Sequence, residues 1–163
     1  MPNECVATLA TPLGFVRLDA CSGLLTQITI GVDADDGLLE GAADDPVLEQ
    51  ARNQLREYFA GQRQTFDLPL KLPAWPSFSL RVLAALRAIP YGEVRSYGEL
   101  ALQAGSPRAA RAVGQVMAAN PLPIIIPCHR VIAARGLLGG YSGGGGLVTK
   151  SWLLDFERQS VPR

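Results

Sequence analysis

Three prolines fall within the twelve residues Thr65 to Pro76 (Pro69, Pro73 and Pro76), and they constrain this chain more than any other feature. Each proline lacks a backbone N–H and pushes the residue before it out of the helical region, so the stretch is a strand or an extended linker. No helix crosses it. The chain is therefore expected to divide here into a first domain over 1–76 and a second over 77–163. Charge changes at about the same place. Residues 1–60 hold three arginines (Arg17, Arg52, Arg56) against ten acidic side chains, and residues 61–163 hold twelve Lys or Arg against five, although the whole chain is formally neutral. Such asymmetry fits a polyanion partner for the second part, and it fits equally well two lobes that neutralise each other.

Ahead of the linker, residues 4–9, 14–20 and 24–30 are β-branched or alternating, with Pro12, Gly14, Ser22 and Gly23 between them; they read as an antiparallel meander. Asp33 to Asp45 reads as a solvated acidic loop. Asp45 then caps a helix that has Pro46 at its first position, runs to about Ala60 and carries one apolar face through Val47, Leu48, Ala51, Leu55, Tyr58 and Phe59.

After the linker the pattern is helical. Ser77 is expected to cap a helix that Pro90, Tyr91 and Gly92 stop, and Ser96 with Glu99 has the spacing of a capping box for a short helix ending at Gly105. Ser106 and Pro107 restart the chain as cap and first residue of a further helix through Ala119, so the pair forms a helix-turn-helix. Its second helix is nearly smooth. Ala109, Ala110, Ala112, Val113, Gly114, Val116, Ala118 and Ala119 let its backbone approach another surface closely, while Arg108, Arg111 and Gln115 project; Arg108 and Arg111 are spaced to share a face. A last helix is expected from about Val148 to Arg158, after the glycine run Gly143 to Gly146.

Between these helices the apolar run Ile124 to Ile126 ends on Cys128 and on the single histidine, His129. A thiol beside an imidazole is the minimum for a nucleophile, because the thiolate is the reactive form and a neighbouring base or cation generates it. A bare Cys-His pair, however, is more often an inert core thiol. An odd count of three cysteines argues against a disulfide framework and for a reducing compartment, with Cys5 and Cys21 as buried thiols in strands. No run approaches the ~18 apolar residues of a membrane span and the N-terminus lacks a secretory pattern, so a cytoplasmic protein is expected.

Five stretches in order decide the chemistry: Ile89 to Leu100 (IPYGEVRSYGEL), Ala109 to Gly114 (AARAVG), Asn120 to Ile132 (NPLPIIIPCHRVI), Gly139 to Gly144 (GGYSGG) and Lys150 to Glu157 (KSWLLDFE). In these the chain resembles the O6-alkylguanine-DNA alkyltransferases, also called methylated-DNA–protein-cysteine methyltransferases. The turn Thr11-Pro12-Leu13-Gly14 also looks like that family's N-terminal domain. The resemblance implies an α+β chain: a small N-terminal domain of antiparallel sheet plus helix, then a mainly helical, winged-helix-like C-terminal domain with the helix-turn-helix. It implies direct-reversal repair, in which an alkyl group passes from O6 of guanine, and less generally O4 of thymine, irreversibly to Cys128.

By the same resemblance His129 is the base, reached from Cys128 through a water because neighbours in an extended segment point opposite ways, and Glu157 orients the imidazole. Tyr97 crowds the flipped nucleotide and donates toward guanine N3. Arg111 is the finger that fills the gap left by the flipped base, with Arg108, Ala110, Ala112, Gly114 and Gln115 around it on the DNA. Tyr141, Ser142 and Val131 belong to the alkyl pocket, and Asn120 braces the turn beside it. The partner implied is alkylated double-stranded DNA, entered from the minor groove by a monomer. Some members hold zinc through two Cys and two His, but this chain has no histidine to spare. Neither metal nor cofactor is expected.

Two departures stand out: four glycines where the family commonly has two, and Val82-Leu83 where many members carry Val-Trp. Three other readings compete. A Cys-His hydrolase would place its histidine far from the cysteine, a non-catalytic alkyltransferase-like lesion-binding module would usually carry Trp at the position of Cys128, and a transcription factor would need further domains.

Overall fold

The computed structural model describes residues 4–32 and 45–161. It divides into two compact units, Met1–Pro73 and Ala74–Arg163. In the first, β1 (Glu4–Thr11), β2 (Gly14–Cys21) and β3 (Leu24–Val32) form an antiparallel sheet in the order β1-β2-β3. The β1–β2 register runs from Glu4 opposite Cys21 to Thr11 opposite Gly14, so the hairpin closes at the Pro12-Leu13 turn. The expected acidic loop falls mostly on residues 33–44, which lie outside the described residues. Cys5 and Cys21 sit in strands but are half-buried, because both lie near strand ends where the core does not cover them.

Helix α1 (Pro46–Phe59) starts where Asp45 accepts from the backbone N–H groups of Val47 and Leu48 at 2.9 and 3.3 Å. Its apolar face packs on the sheet and buries Val47, Leu48, Ala51, Leu55 and Tyr58. The proline stretch behaves as its chemistry dictates. The Leu25 N–H donates to the carbonyl of Pro69, and Lys71 donates back to Leu25, so the stretch lies along a sheet edge without needing a proline N–H.

In the second unit, α2 (Ser77–Arg87), α3 (Tyr97–Gln103) and α4 (Ala110–Ala118) enclose a core that includes Val82, Leu83, Leu86, Leu100 and Val113, each fully covered. Burying a side chain of this size contributes about 1.5–3 kcal/mol. The capping box is present: the Glu99 N–H donates to Ser96 Oγ at 3.1 Å, and the Ser96 N–H donates to the Glu99 carboxylate at 2.9 Å. Two expected caps are not. Ser77 is already inside α2, which Pro76 introduces with no side-chain cap. Ser106 to Ala109 forms a separate turn closed by the Ala109 N–H on the Ser106 carbonyl, so α4 begins at Ala110 and Arg108 lies outside it. Arg108 and Arg111 therefore do not share a helical face. The last helix, α5, spans Leu147–Ser160, a turn longer than expected.

Candidate active site

Thirty-one positions separate Tyr97 from Cys128, and a two-residue ladder removes that separation. Strand β4 (Arg95–Ser96) runs parallel to β5 (Val131–Ile132), with Arg95 opposite Val131 and Ser96 opposite Ile132. The strand that enters Tyr97 and α3 thus lies beside the strand that leaves Cys128. Cys128, His129 and Arg130 form a single 3₁₀ turn rather than the extended segment expected, so the orientation argument from alternating side chains does not apply. Asn120 shapes the approach: its Nδ2 donates to the Ile126 carbonyl at 2.9 Å and its Oδ1 accepts from the Leu122 N–H at 3.0 Å. Between them the buried Ile124 holds φ +74°, a costly conformation for a β-branched residue that this brace maintains.

Behind the cysteine lies a buried ionic cluster. His129 is fully covered, and its Nε2 is 2.8 Å from Glu157 Oε2. Arg130 donates to both carboxylate oxygens of Glu157, from Nε at 2.8 Å and Nη2 at 2.9 Å, while its Nη1 donates to the Ile89 carbonyl at 2.7 Å. The Gly92 N–H adds a fourth donor at 3.3 Å. Burial opposes the charge on Glu157, but these donors outweigh it and hold the carboxyl well below the usual carboxylate range. Burial also holds His129 below its ordinary value against the pull of Glu157. The imidazole is therefore neutral near pH 7. An ionised carboxylate only accepts, so the ring proton sits on Nε2 and Nδ1 keeps a free lone pair. Nδ1 is buried and has no hydrogen-bond partner among the described residues.

Cys128 opens onto a cavity of about 260 Å³ lined by Tyr97, Gly114, Met117, Ala118, Gly140, Tyr141 and Ser142. Burial pushes its thiol up, while Asn120, the charge of Lys150 and a backbone hydrogen bond pull it down. The thiol is the resting form, and a base is needed to open it. Lys150, one of the most deeply buried side chains, donates from Nζ to the carbonyls of Leu138 and, at 3.1 Å, Gly140. It thereby anchors the rim of the cavity and places a positive charge beside the sulfur. The same rim meets Tyr97: the Gly140 N–H lies 3.4 Å from its hydroxyl, and a Cβ on Gly139, whose φ is +70°, would fall 2.6 Å from that oxygen. Only glycine allows the approach. The Tyr141 hydroxyl is buried without a partner among the described residues, and burial raises its pKa far above the ordinary value.

Of the residues singled out from sequence, Cys128, Tyr97, Gly114, Tyr141 and Ser142 meet around this cavity, with His129 and Glu157 behind it. Val131 and Asn120 do not line it. Val131 is fully covered in β5, and the Asn120 amide is occupied by its turn. Arg111 and Gln115 are exposed on α4 and Arg108 is exposed in the turn before it; Ala110 and Ala112 are half-buried. Ala112 and Gln115 border a second, more open cavity with Trp75 and Phe78. Sequence reasoning missed three contributors: Met117, the full role of Arg130, and Lys150. The last was legible in principle, since Lys150 and Glu157 are two turns apart and fall on the same face of α5.

The comparisons with known proteins agree with this geometry. Residues 77–159 match the DNA binding domain of 6-O-methylguanine DNA methyltransferase, and residues 7–72 match its ribonuclease-like domain. A methylated-DNA–protein-cysteine methyltransferase of Mycobacterium leprae is 53% identical over 156 residues, covering 94% of this chain and 92% of that one. Its counterpart in Mycolicibacterium paratuberculosis is 44% identical, covering 95% and 93%. The crystal structure of Mycobacterium tuberculosis OGT in complex with DNA superposes with a TM-score of 0.82 at 42% identity, covering 96% of this chain and 94% of that one. With both domains matched in order and a cysteine-centred cavity where the two strands meet, the chain belongs to the 6-O-methylguanine DNA methyltransferase family.

Proposed function

We propose that this protein repairs DNA directly, taking the alkyl group from O6 of an alkylated guanine and keeping it on Cys128. The observation that carries the reading is the disposition of His129, next in the chain to the cysteine that opens on the cavity, with its proton directed to Glu157 and its Nδ1 buried without a partner among the described residues. In this reading the Cys128 proton passes to Nδ1 through a water. The thiolate then attacks the alkyl carbon; the S–C bond forms as the C–O6 bond breaks, and the electron pair is left on the purine. Tyr97 donates toward N3 and the Ser142 backbone N–H toward O6, stabilising the charge that develops there. The thioether has no easy hydrolytic exit, so each molecule acts once.

A guanine within a duplex cannot reach a cavity lined by Cys128, so the base is flipped at a cost of a few kcal/mol. The smooth face of α4 approaches the minor groove, with Ala110, Ala112, Gly114, Gln115 and Arg108 against the strand and Arg111 inserted where the base was. The protein works as a monomer in the cytoplasm, and α4 needs no base code, because phosphate contacts supply sequence-tolerant affinity. The test is to incubate the protein with a duplex oligonucleotide carrying O6-methylguanine and weigh it. A gain of one methyl group on the peptide containing Cys128 is expected; repaired DNA with an unchanged protein mass would refute the reading.

Arg111→Ala separates flipping from chemistry. Loss of the inserted side chain leaves the cost of the open stack uncompensated, so repair of the duplex is expected to fall about ten- to a hundredfold. Reaction with free O6-benzylguanine, which needs no flipping, is expected to stay near the parent rate. Equal losses on the two substrates, measured as second-order rate constants, would argue against insertion.

A further inference from the structure

The turn between α2 and β4 closes on the ion pair behind Cys128 at three points. The Ile89 carbonyl accepts from Arg130 Nη1 at 2.7 Å, the Tyr91 ring lies under the Arg130 guanidinium with Cζ 5.6 Å from its centroid, and the Gly92 N–H donates to Glu157 Oε1 at 3.3 Å. The Glu93 N–H donates to the Pro90 carbonyl at 3.1 Å and closes the turn itself. The Ile89 and Gly92 contacts come from backbone groups that many residues could supply. Only the ring depends on the side chain, and the chemistry of alkyl transfer makes no use of it.

The end of α5 holds the ring from the other side. The Ser160 side chain is a hydrogen-bond partner of the Tyr91 hydroxyl, and the Val161 N–H donates to the Glu157 carbonyl at 3.2 Å. The two segments meet at Gly92, whose φ is +78° and where a Cβ would run into Val161 Cγ2. Tyr91 is half-buried, whereas Arg130 is 5% exposed and Glu157 1%. The ring therefore stands between solvent and the guanidinium. A cation within about 6 Å of an aromatic face is attracted to it, more strongly where water is excluded. That exclusion matters beyond Arg130, because charges act on one another strongly across a dry interior and weakly across water. Facing His129 are Glu157 and Lys150 from α5, with Arg130 and the Cys128 thiol from its own segment. Glu157 favours the protonated ring, while burial and the two cations oppose it.

We propose that Tyr91 is a positioning residue for the base: its ring, steadied by Ser160, seals the solvent side of the Arg130–Glu157 pair and keeps that pair locked and dry where it meets His129. This rests on the functional reading above, in which His129 takes the Cys128 proton. Without the ring, water reaches the guanidinium and screens it. Burial is the largest influence on His129, and its relaxation outweighs the weakened pull of Glu157, so the imidazole takes up a proton more readily. A protonated imidazole cannot accept from the thiol.

His129 is the only histidine in the chain, so its ring resonances can be followed by NMR without ambiguity as pH is varied. In Tyr91→Leu the midpoint of that titration is expected to rise by about half a unit to one unit. The rate of reaction with free O6-benzylguanine is expected to fall about three- to tenfold on the acid side of neutrality and to stay near the parent rate at pH ~8. Tyr91→Phe keeps the face of the ring and is expected to leave both curves in place. Tyr91→Met, which fills space without an aromatic face, replaces the Leu variant if that does not fold. Phe156→Leu loses a stack with Trp152 at 5.0 Å; it controls for lost aromatic packing on α5 and is expected to leave the midpoint unmoved. An unmoved midpoint in Tyr91→Leu or its Met replacement, or an equal shift in Tyr91→Phe or Phe156→Leu, would each overturn the proposal. If the parent rate does not follow the His129 titration while the midpoint still moves in Tyr91→Leu, His129 is not the base; the functional reading then falls, and with it the part of Tyr91 in alkyl transfer.

Discussion

Glu157→Gln is expected to lose both stability and alkyl transfer, because one carboxylate serves two buried neighbours. The side chain is 1% exposed and accepts from Arg130 twice and from His129 once. An amide of the same shape leaves the Arg130 charge buried without its counter-ion, and breaking such a pair costs about 3–5 kcal/mol. The chemistry suffers separately. An amide nitrogen facing the imidazole would donate to Nε2 and drive the ring proton to Nδ1, which removes the lone pair that takes the cysteine proton. Loss of a positioned base lowers a rate by about 10²- to 10⁴-fold.

The pH dependence has a definite sign. Glu157 is held below the ordinary carboxylate range, so the folded protein binds fewer protons there than the unfolded chain, and its contribution is present above about pH 4.3 and lost as pH falls through the folded value. His129, buried and held below about 6.5, adds the same sign from neutral pH downward. Urea unfolding at a series of pH values should show stability declining on acidification, with a shallower decline below pH ~4.3 in the Gln variant. Parallel curves for parent and variant would show that Glu157 is not the titrating group.

Cys128→Ser should abolish alkyl transfer outright while sparing the fold and the binding of damaged DNA. A hydroxyl is a far weaker nucleophile than a thiol whose deprotonation His129 can drive, and it gains little from the nearby charge of Lys150 because its own pKa lies far higher. The replacement is nearly isosteric. Mass spectrometry after incubation with an O6-methylguanine duplex should find the variant unchanged and the lesion still present, with a gel shift retained. Methyl transfer by the Ser variant would move the acceptor elsewhere in the chain.

Much of this site was legible from residue order alone. The capping box at Ser96 and Glu99, the Asp45-Pro46 helix start and the smooth face of α4 depend on neighbours within one or two turns, and such signals survive without tertiary context. The errors have a common cause. Ser77 and Ser106 carry the right side chain for a cap, but Pro76 and the Ser106–Ala109 turn set the helix starts through backbone geometry that no residue preference encodes. Likewise the run Ile126 to Arg130 looks extended by composition, whereas the chain must turn there to carry His129 and Arg130 inward to Glu157.

The amino-acid sequence by itself determined the three-stranded antiparallel sheet, the main helices and which cysteine has a base beside it, since each of these rests on local chemistry. Only the tertiary structure decided which proton state that base holds. The tautomer of His129, the grip of Arg130 on Glu157 and the hold of Lys150 on the cavity rim join residues 10 to 28 positions apart. Their energies come from burial, which strengthens charges only after the chain has closed around them.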